Sequence, residues 1–258
     1  MGVVNVTPDS FSDGGRFLEA TAAVEHAHRL LQDGADILDV GGESSRPGAL
    51  PVSPQEEMDR ILPVLEGLKA LPRPVSVDTR RPEVMREALK AGASMINDIE
   101  ALSAPGALEA VAKSGCAVCL MHKKGKPATM QRDPHYDDVA AEVFSFLQAR
   151  AGACQGAGIA RERIVLDPGF GFGKTLEHNL ILLKKLPALV SAGYPVLAGW
   201  SRKSSLGSIT GRGPEERLPA SLAMALLSLL GGATILRVHD VKETRDAVAV
   251  WQAYSNVA

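Results

Sequence analysis

Acids, amides and basic side chains recur in this chain at one kind of place, the end of a short apolar run. Asp78, Asn97 and Asp167 each close such a run. Two carboxylates and an amide converging on one pocket could read a flat heterocycle with adjacent ring and exocyclic N–H donors, because a carboxylate facing two N–H groups is a strong recognition element. Taken singly, each could instead cap the helix that follows it; three on neighbouring strands shift the balance toward recognition. Arg46 lies in the Gly- and Ser-rich stretch from Gly41 to Gly48, and Arg237 and His239 stand two residues apart. That spacing puts the last two on one face of a strand, which favours a shared phosphate or diphosphate site over structural pairing with Asp240 or Glu243. Lys203 ends another run. Residue type leaves it three roles: Schiff-base nucleophile, charged hydrogen-bond donor or solvated lysine.

The segment Asn5-Val6-Thr7-Pro8-Asp9-Ser10-Phe11-Ser12-Asp13-Gly14-Gly15 passes from apolar residues into a polar, glycine-ended loop. Its amide, hydroxyls, carboxylates and single aromatic equip it to hold a ligand. Pro8 and the glycines suit a mobile lid.

These residues need elements to position them. Eight short runs are nearly continuous in apolar residues, as strands buried on both faces are. They are residues 2–6, 37–40, 74–79, 95–99, 117–122, 164–168, 195–200 and 235–240. Segments with helical spacing alternate with them, such as Val24, Ala27, Leu30 and Leu31, or Val84, Met85, Ala88 and Leu89. Arg81-Pro82-Glu83 suits a helix start, and Gly34, Gly92 and Gly115 suit helix ends. Eight βα units over 258 residues favour an α/β fold of the (β/α)8 TIM-barrel type, one domain spanning residues 1–258, over an open doubly wound sheet. In such barrels chemistry sits on the loops at the C-terminal ends of the strands. Those are the places where the polar residues collect.

Composition removes other classes. A net charge of -2 leaves no global basic field for nucleic acid or an anionic membrane surface. No signal peptide and no apolar run of membrane-spanning length are seen, so a cytoplasmic protein is expected. Cys116, Cys119 and Cys154 read as reduced core thiols, since Cys116 and Cys119 fall in and beside a strand that turns alternate residues to opposite faces. The stretch Asp167 to Lys174 tempts a P-loop reading, but Pro168 occupies a required glycine; Gly199-Trp200-Ser201-Arg202-Lys203 ends in Lys where a serine-hydrolase elbow needs Gly. The metalloprotease motif and a cysteine cage for zinc are absent.

Several segments, in order, carry a resemblance. They are Asn5 to Gly15, Asp39 to Gly48, Ser76-Val77-Asp78-Thr79, Ile96-Asn97-Asp98-Ile99, Asp167 to Lys174, Gly199 to Lys203 and Arg237-Val238-His239-Asp240. Over nearly its full length the chain resembles the dihydropteroate synthases, the folate-pathway enzymes that sulfonamides inhibit. The resemblance implies a homodimeric barrel that condenses 6-hydroxymethyl-7,8-dihydropterin diphosphate with 4-aminobenzoate, giving 7,8-dihydropteroate and diphosphate with Mg2+. It implies that Asp78, Asn97, Asp167 and Lys203 bind the pterin, and Met121 is a further expected substrate-binding residue. Ser45, Arg46, Arg237 and His239 would hold the diphosphate, and Asn5 would coordinate the metal. Thr7, Pro8, Phe11, Pro47, Phe172 and Ser201 would line the aminobenzoate site. Asp78, Asp167, Lys203, Arg237 and His239 are the expected catalytic set.

Three departures stand out. Ser45 replaces the family's usual Thr, Lys123 and Lys124 follow His122 where Met-Gln is common, and the chain starts at the first strand where relatives carry a short leader. Two rival functions share the barrel. A methyltetrahydrofolate:corrinoid methyltransferase would use the Asp and Asn pterin readers without the Asn5 loop or the Arg-His pair. A catalytically silent ligand-binding barrel would have no need of the whole set.

Overall fold

The computed structural model describes residues 1–7, 16–44, 51–125 and 129–257, and for residues 16–18 the backbone alone. Eight parallel strands are present among them: β1 (Gly2–Asn5), β2 (Leu38–Gly41), β3 (Val75–Asp78), β4 (Met95–Asp98), β5 (Ala117–Met121), β6 (Ile164–Asp167), β7 (Leu197–Ala198) and β8 (Ile235–Leu236). β1 to β6 pair in chain order, and β7 pairs with β8. Two single bridges, Leu166 to Val196 and Gly2 to Val238, join these sheets and close the ring. The TIM barrel expected from the eight apolar runs is therefore the observed fold.

β7 and β8 are shorter than their apolar runs. Pro195 has no N–H to give a ladder, and beyond the two regular pairs only single bonds continue it, such as Arg237 N to Ala198 O at 3.0 Å and Val238 N to Met1 O at 2.9 Å.

Alternation along the strands builds two cores. Val4, Val40, Val77, Ile96, Leu120 and Leu166 face outward, wholly buried, in a large apolar cluster with the helices. Among their partners is the helix Pro54–Leu68, started by Ser53, whose hydroxyl accepts from Glu56 N, and by a first-turn proline. Met1, Met95, Cys119, Val165 and Leu197 face inward and fill the barrel floor. Cys116 belongs to the outer cluster and Cys119 to the inner one, the split expected of a strand, and all three cysteines are free and buried. Helix Pro82–Lys90 begins after Arg81 as read from sequence, and Gly34, Gly92 and Gly115 each follow a helix with positive φ. Among the described residues no helix is long and apolar enough to cross a membrane.

Candidate functional site

Strand register determines what stands above the apolar floor. Asn5 pairs with Gly41, Gly41 with Asp78, Asp78 with Asn97 and Asn97 with Cys119; one step further up, Met121 pairs with Asp167. Paired residues of neighbouring strands share a face, so these side chains turn inward with Cys119 at the C-terminal mouth. Asn97, Met121 and Asp167 are buried there, while Asn5 and Asp78 keep partial exposure. Five of the barrel's strands thus deliver to one place residues read from sequence, and Arg237 joins them from the end of β8.

Arg237 is central to the charge balance. It donates through Nε to Asp39 Oδ2 at 2.6 Å and through Nη2 to Asp78 Oδ2 at 2.9 Å. Asn97 Nδ2 donates to the same Asp39 oxygen at 3.2 Å. Asp39 is fully buried, and its Oδ1 has no hydrogen-bond partner among the described residues. Burial pushes the Asp78 carboxyl up to about 7, with Asp39 adding to the rise and the Arg237 guanidinium opposing it. Asp167 is also raised by burial, and the Lys203 ammonium holds it down in part. Lys203 itself is drawn down to about 8 by burial, against the pull of Asp167. Its Nζ donates to Phe170 O and lies 4.8 Å from the centre of the Phe172 ring. Phe172 is half-buried.

Two residues before Lys203, Ser201 is buried, and its Oγ accepts from the backbone N of His239 at 3.1 Å and lies 3.0 Å from His239 Nδ1. Thr7 is half-buried just past β1. Asp240, considered as a partner for Arg237 or His239, is instead bound by Arg202 through Nε at 3.1 Å and Nη2 at 2.5 Å. Arg237 pairs with Asp39 and Asp78 rather than Asp240, and His239 meets Ser201. Pro8, Phe11, Ser45, Arg46 and Pro47 lie outside the described residues, as does most of the expected lid.

The two lysines that form one of the departures noted in the sequence resolve into local pairings. Lys123 Nζ donates to Glu100 Oε1 at 2.8 Å, and Lys124 Nζ to His135 O at 2.7 Å and Glu142 Oε2 at 3.1 Å. Glu43, which follows β2, is a structural acid: it takes Arg81 at 2.8 and 2.9 Å and the Val52 N–H at 3.2 Å. Asp39 and Lys174 are the residues to which sequence reasoning assigned no role. A carboxylate between Leu38 and Val40, inside an apolar strand, was the available signal for Asp39.

No group of three or more His, Cys, Asp or Glu side chains placed to hold a metal occurs among the described residues. The site can recognise a planar N–H-rich ring through its acids and amide, and an anion through Arg237 and the His239 edge.

A family model described as pterin binding enzyme matches residues 1–239. The dihydropteroate synthase of Escherichia coli K12 is 53% identical over 254 residues, 98% of this chain and 90% of the relative. Among solved structures, Xanthomonas albilineans dihydropteroate synthase with 4-aminobenzoic acid has a TM-score of 0.94 at 54% identity, covering 100% of this chain and 93% of that one. The dihydropteroate synthase of the same organism in complex with 7,8-dihydropteroate has a TM-score of 0.91 at 52% identity, covering 100% and 94%. The chain belongs to the pterin-binding enzyme family, among its dihydropteroate synthases, which are transferases of folate biosynthesis.

Proposed function

We propose that the chain condenses 6-hydroxymethyl-7,8-dihydropterin diphosphate with 4-aminobenzoate by a dissociative path. The observation that carries this reading is the inward ring of Asp78, Asn97 and Asp167, with Lys203 beside it and Arg237 bridging Asp39 and Asp78. Such a ring suits a heterocycle at one depth and an anion next to it.

An aromatic amine is a weak nucleophile, so loss of diphosphate before attack is chemically sensible. The electron-rich pterin spreads the resulting positive charge, and the Asp78 and Asp167 carboxylates, held by rigid strand ends, stabilise it electrostatically. Asn97 and Lys203 orient the ring, with Met121 packing beside Asp167. Arg237 and His239, joined by Ser45 and Arg46, balance the charge on the departing diphosphate. Thr7, Pro8, Phe11, Pro47, Phe172 and Ser201 frame the aminobenzoate. Lys203 acts as a donor, and no covalent enzyme intermediate is needed.

Mg2+ fits this donor set in one way. Asn5 offers a single neutral oxygen at the mouth, and among the described residues there is no carboxylate cage. A hard cation that keeps waters and takes phosphate oxygens needs no more than one or two protein oxygens. Asn5 would hold it, and when bound it would neutralise charge developing on the diphosphate. We also read the working unit as a homodimer, in keeping with exposed Leu227, Leu230, Val250 and Tyr254.

The test is direct. The protein is incubated with the pterin diphosphate, 4-aminobenzoate and Mg2+, and diphosphate release is followed. Mg2+-dependent diphosphate release, with 7,8-dihydropteroate formed when 4-aminobenzoate is present, supports the reading; a well-folded preparation that releases none overturns it.

A further inference from the structure

Five consecutive carbonyls between β6 and the helix Leu176–Lys184 each receive a side-chain donor. Gly169 O accepts from Lys174 Nζ at 2.9 Å, Phe170 O from Lys203 Nζ and Gly171 O from Gln131 Nε2. Phe172 O accepts again from Lys174 Nζ, at 3.1 Å, and Gly173 O from the Tyr136 hydroxyl at 2.9 Å. Two amides of the segment are held as well: Gly169 N donates to Asp167 Oδ1 and Gly171 N to Asn179 Oδ1, each at 2.7 Å. An ordinary surface loop leaves most such groups to water. This one is clamped by side chains from four other places.

Lys174 is the centre of the clamp. It is 3% exposed, and besides the two loop carbonyls its Nζ lies 3.2 Å from His122 O and 3.0 Å from His122 Nδ1. An ammonium has three N–H donors, so four acceptors at these distances occupy all of them. Among the described residues no carboxylate forms an ion pair with it; carbonyl dipoles and an imidazole carry the charge. Burial draws Lys174 down to about 7 and His122 to about 3, which keeps the imidazole neutral and able to accept. The two loops meet backbone to backbone, because Gly169 (φ 67°) and Gly173 (φ 63°) lie where an added Cβ would collide with the carbonyls of His122 and Lys124.

The clamp leads to the mouth. Phe170 O is the acceptor for Lys203, the Phe170 ring stacks on Trp200 at 4.4 Å, and Phe172 lies under the Lys203 ammonium. Asp167 is tied to the first loop amide. A shift of the 169–173 backbone therefore moves the groups that present Lys203 and Asp167. Resting on the pterin reading of those two residues, we infer that Lys174 is a positioning residue, whose ammonium pins residues 169–173 against His122 and so sets Lys203 and Asp167 for the pterin.

The test compares the full-length wild type with Lys174→Met and Tyr136→Phe. Dissociation constants are measured separately for 6-hydroxymethylpterin and for inorganic diphosphate with Mg2+, beside a thermal melt of each protein. Losing the clamp's charged bonds is expected to weaken pterin binding by roughly tenfold or more in Lys174→Met, and losing one neutral bond by roughly threefold in Tyr136→Phe. Diphosphate affinity should stay within about twofold, since Arg237 and His239 sit on another strand. A merely structural lysine would lower the melting temperature and leave the folded fraction's pterin affinity unchanged. That result, or equal losses for both ligands, overturns the proposal. If Lys174→Met fails to melt cooperatively, Tyr136→Phe decides alone, and pterin affinity equal to wild type counts against it. Wild type that binds diphosphate but no pterin would instead overturn the pterin reading beneath it.

Discussion

Asp78 makes the pH dependence of pterin binding calculable. Its carboxyl is raised from 3.8 to about 7, first by burial and then by Asp39, Glu57 and Asp98, against the opposing charge of Arg237. A rise of three units corresponds to about 4 kcal/mol of preference for the neutral form. A pterin that offers two N–H groups requires the carboxylate, so binding must first ionise it. Between pH 5 and pH 7 the ionised fraction climbs from roughly one in a hundred to one half, and affinity should tighten roughly fiftyfold. Lys203, held at about 8, keeps its proton over most of that window, whereas Lys174, at about 7, and the raised Asp167 can add slopes of their own, which the Asp78→Asn comparison subtracts. The assay is a titration of free pterin at half-unit pH steps, repeated with Asp78→Asn. Wild-type affinity flat within about twofold over this range, or an equal slope in Asp78→Asn, would refute the reasoning. Stability supplies an independent check with a defined sign. The folded carboxyl is raised above its unfolded value, so the folded state holds the extra proton between about pH 4 and pH 7, and stability is lost as pH rises through that window. The melting temperature of Asp78→Asn, relative to wild type, should therefore climb from pH 4 to pH 7.

Two further variants probe the charge balance around the same guanidinium. Asp39→Asn removes one of the two acids on Arg237 and leaves Asp78 in place, so the destabilisation should fall below that of a wholly broken buried pair, at about 2 kcal/mol, read by urea melts. The same change takes away a charge that raises Asp78, so the midpoint of pterin binding should move to lower pH. Arg237→Ala should weaken Mg2+-diphosphate binding and, because Arg237 also opposes the rise of Asp78, weaken free pterin at pH 7 as well. The pterin defect, measured against wild type at each pH, should shrink at pH 8.5, where even a higher Asp78 pKa is more nearly satisfied; an equal defect at both values would separate Arg237 from Asp78.

Much of this site could be read before the fold was seen, for reasons that differ by residue. A parallel strand buried on both faces must be apolar throughout, so Asp78, Asn97 and Asp167 were conspicuous as polar residues at or next to the ends of Val75–Asp78, Met95–Asp98 and Ile164–Asp167. Once each is placed at a strand end, barrel geometry brings them together without further information. Asp39 escaped because it pairs with Val3 and Ser76, one inward-facing step below the Gly41 and Asp78 layer, and so is not a strand ending. Its role comes from Arg237, 198 residues away, a contact that no local spacing displays.

Lys174 and Lys203 show the same divide. Both follow strand ends, and residue type alone left Lys203 with three roles and Lys174 with none. What separates them is which acceptors other loops bring: carbonyls and His122 close around Lys174, while Lys203 keeps one carbonyl and an open side near Asp167. A lysine whose donors are all taken cannot also bind a substrate, so Lys174 can act on the pterin only through the loop it holds. Lys203, with one such bond, retains donors for a ligand. The division of labour between the two is a property of the loops' mutual packing, and it is the reason the variants of Lys174 and Tyr136 should move pterin affinity while diphosphate affinity stays nearly constant.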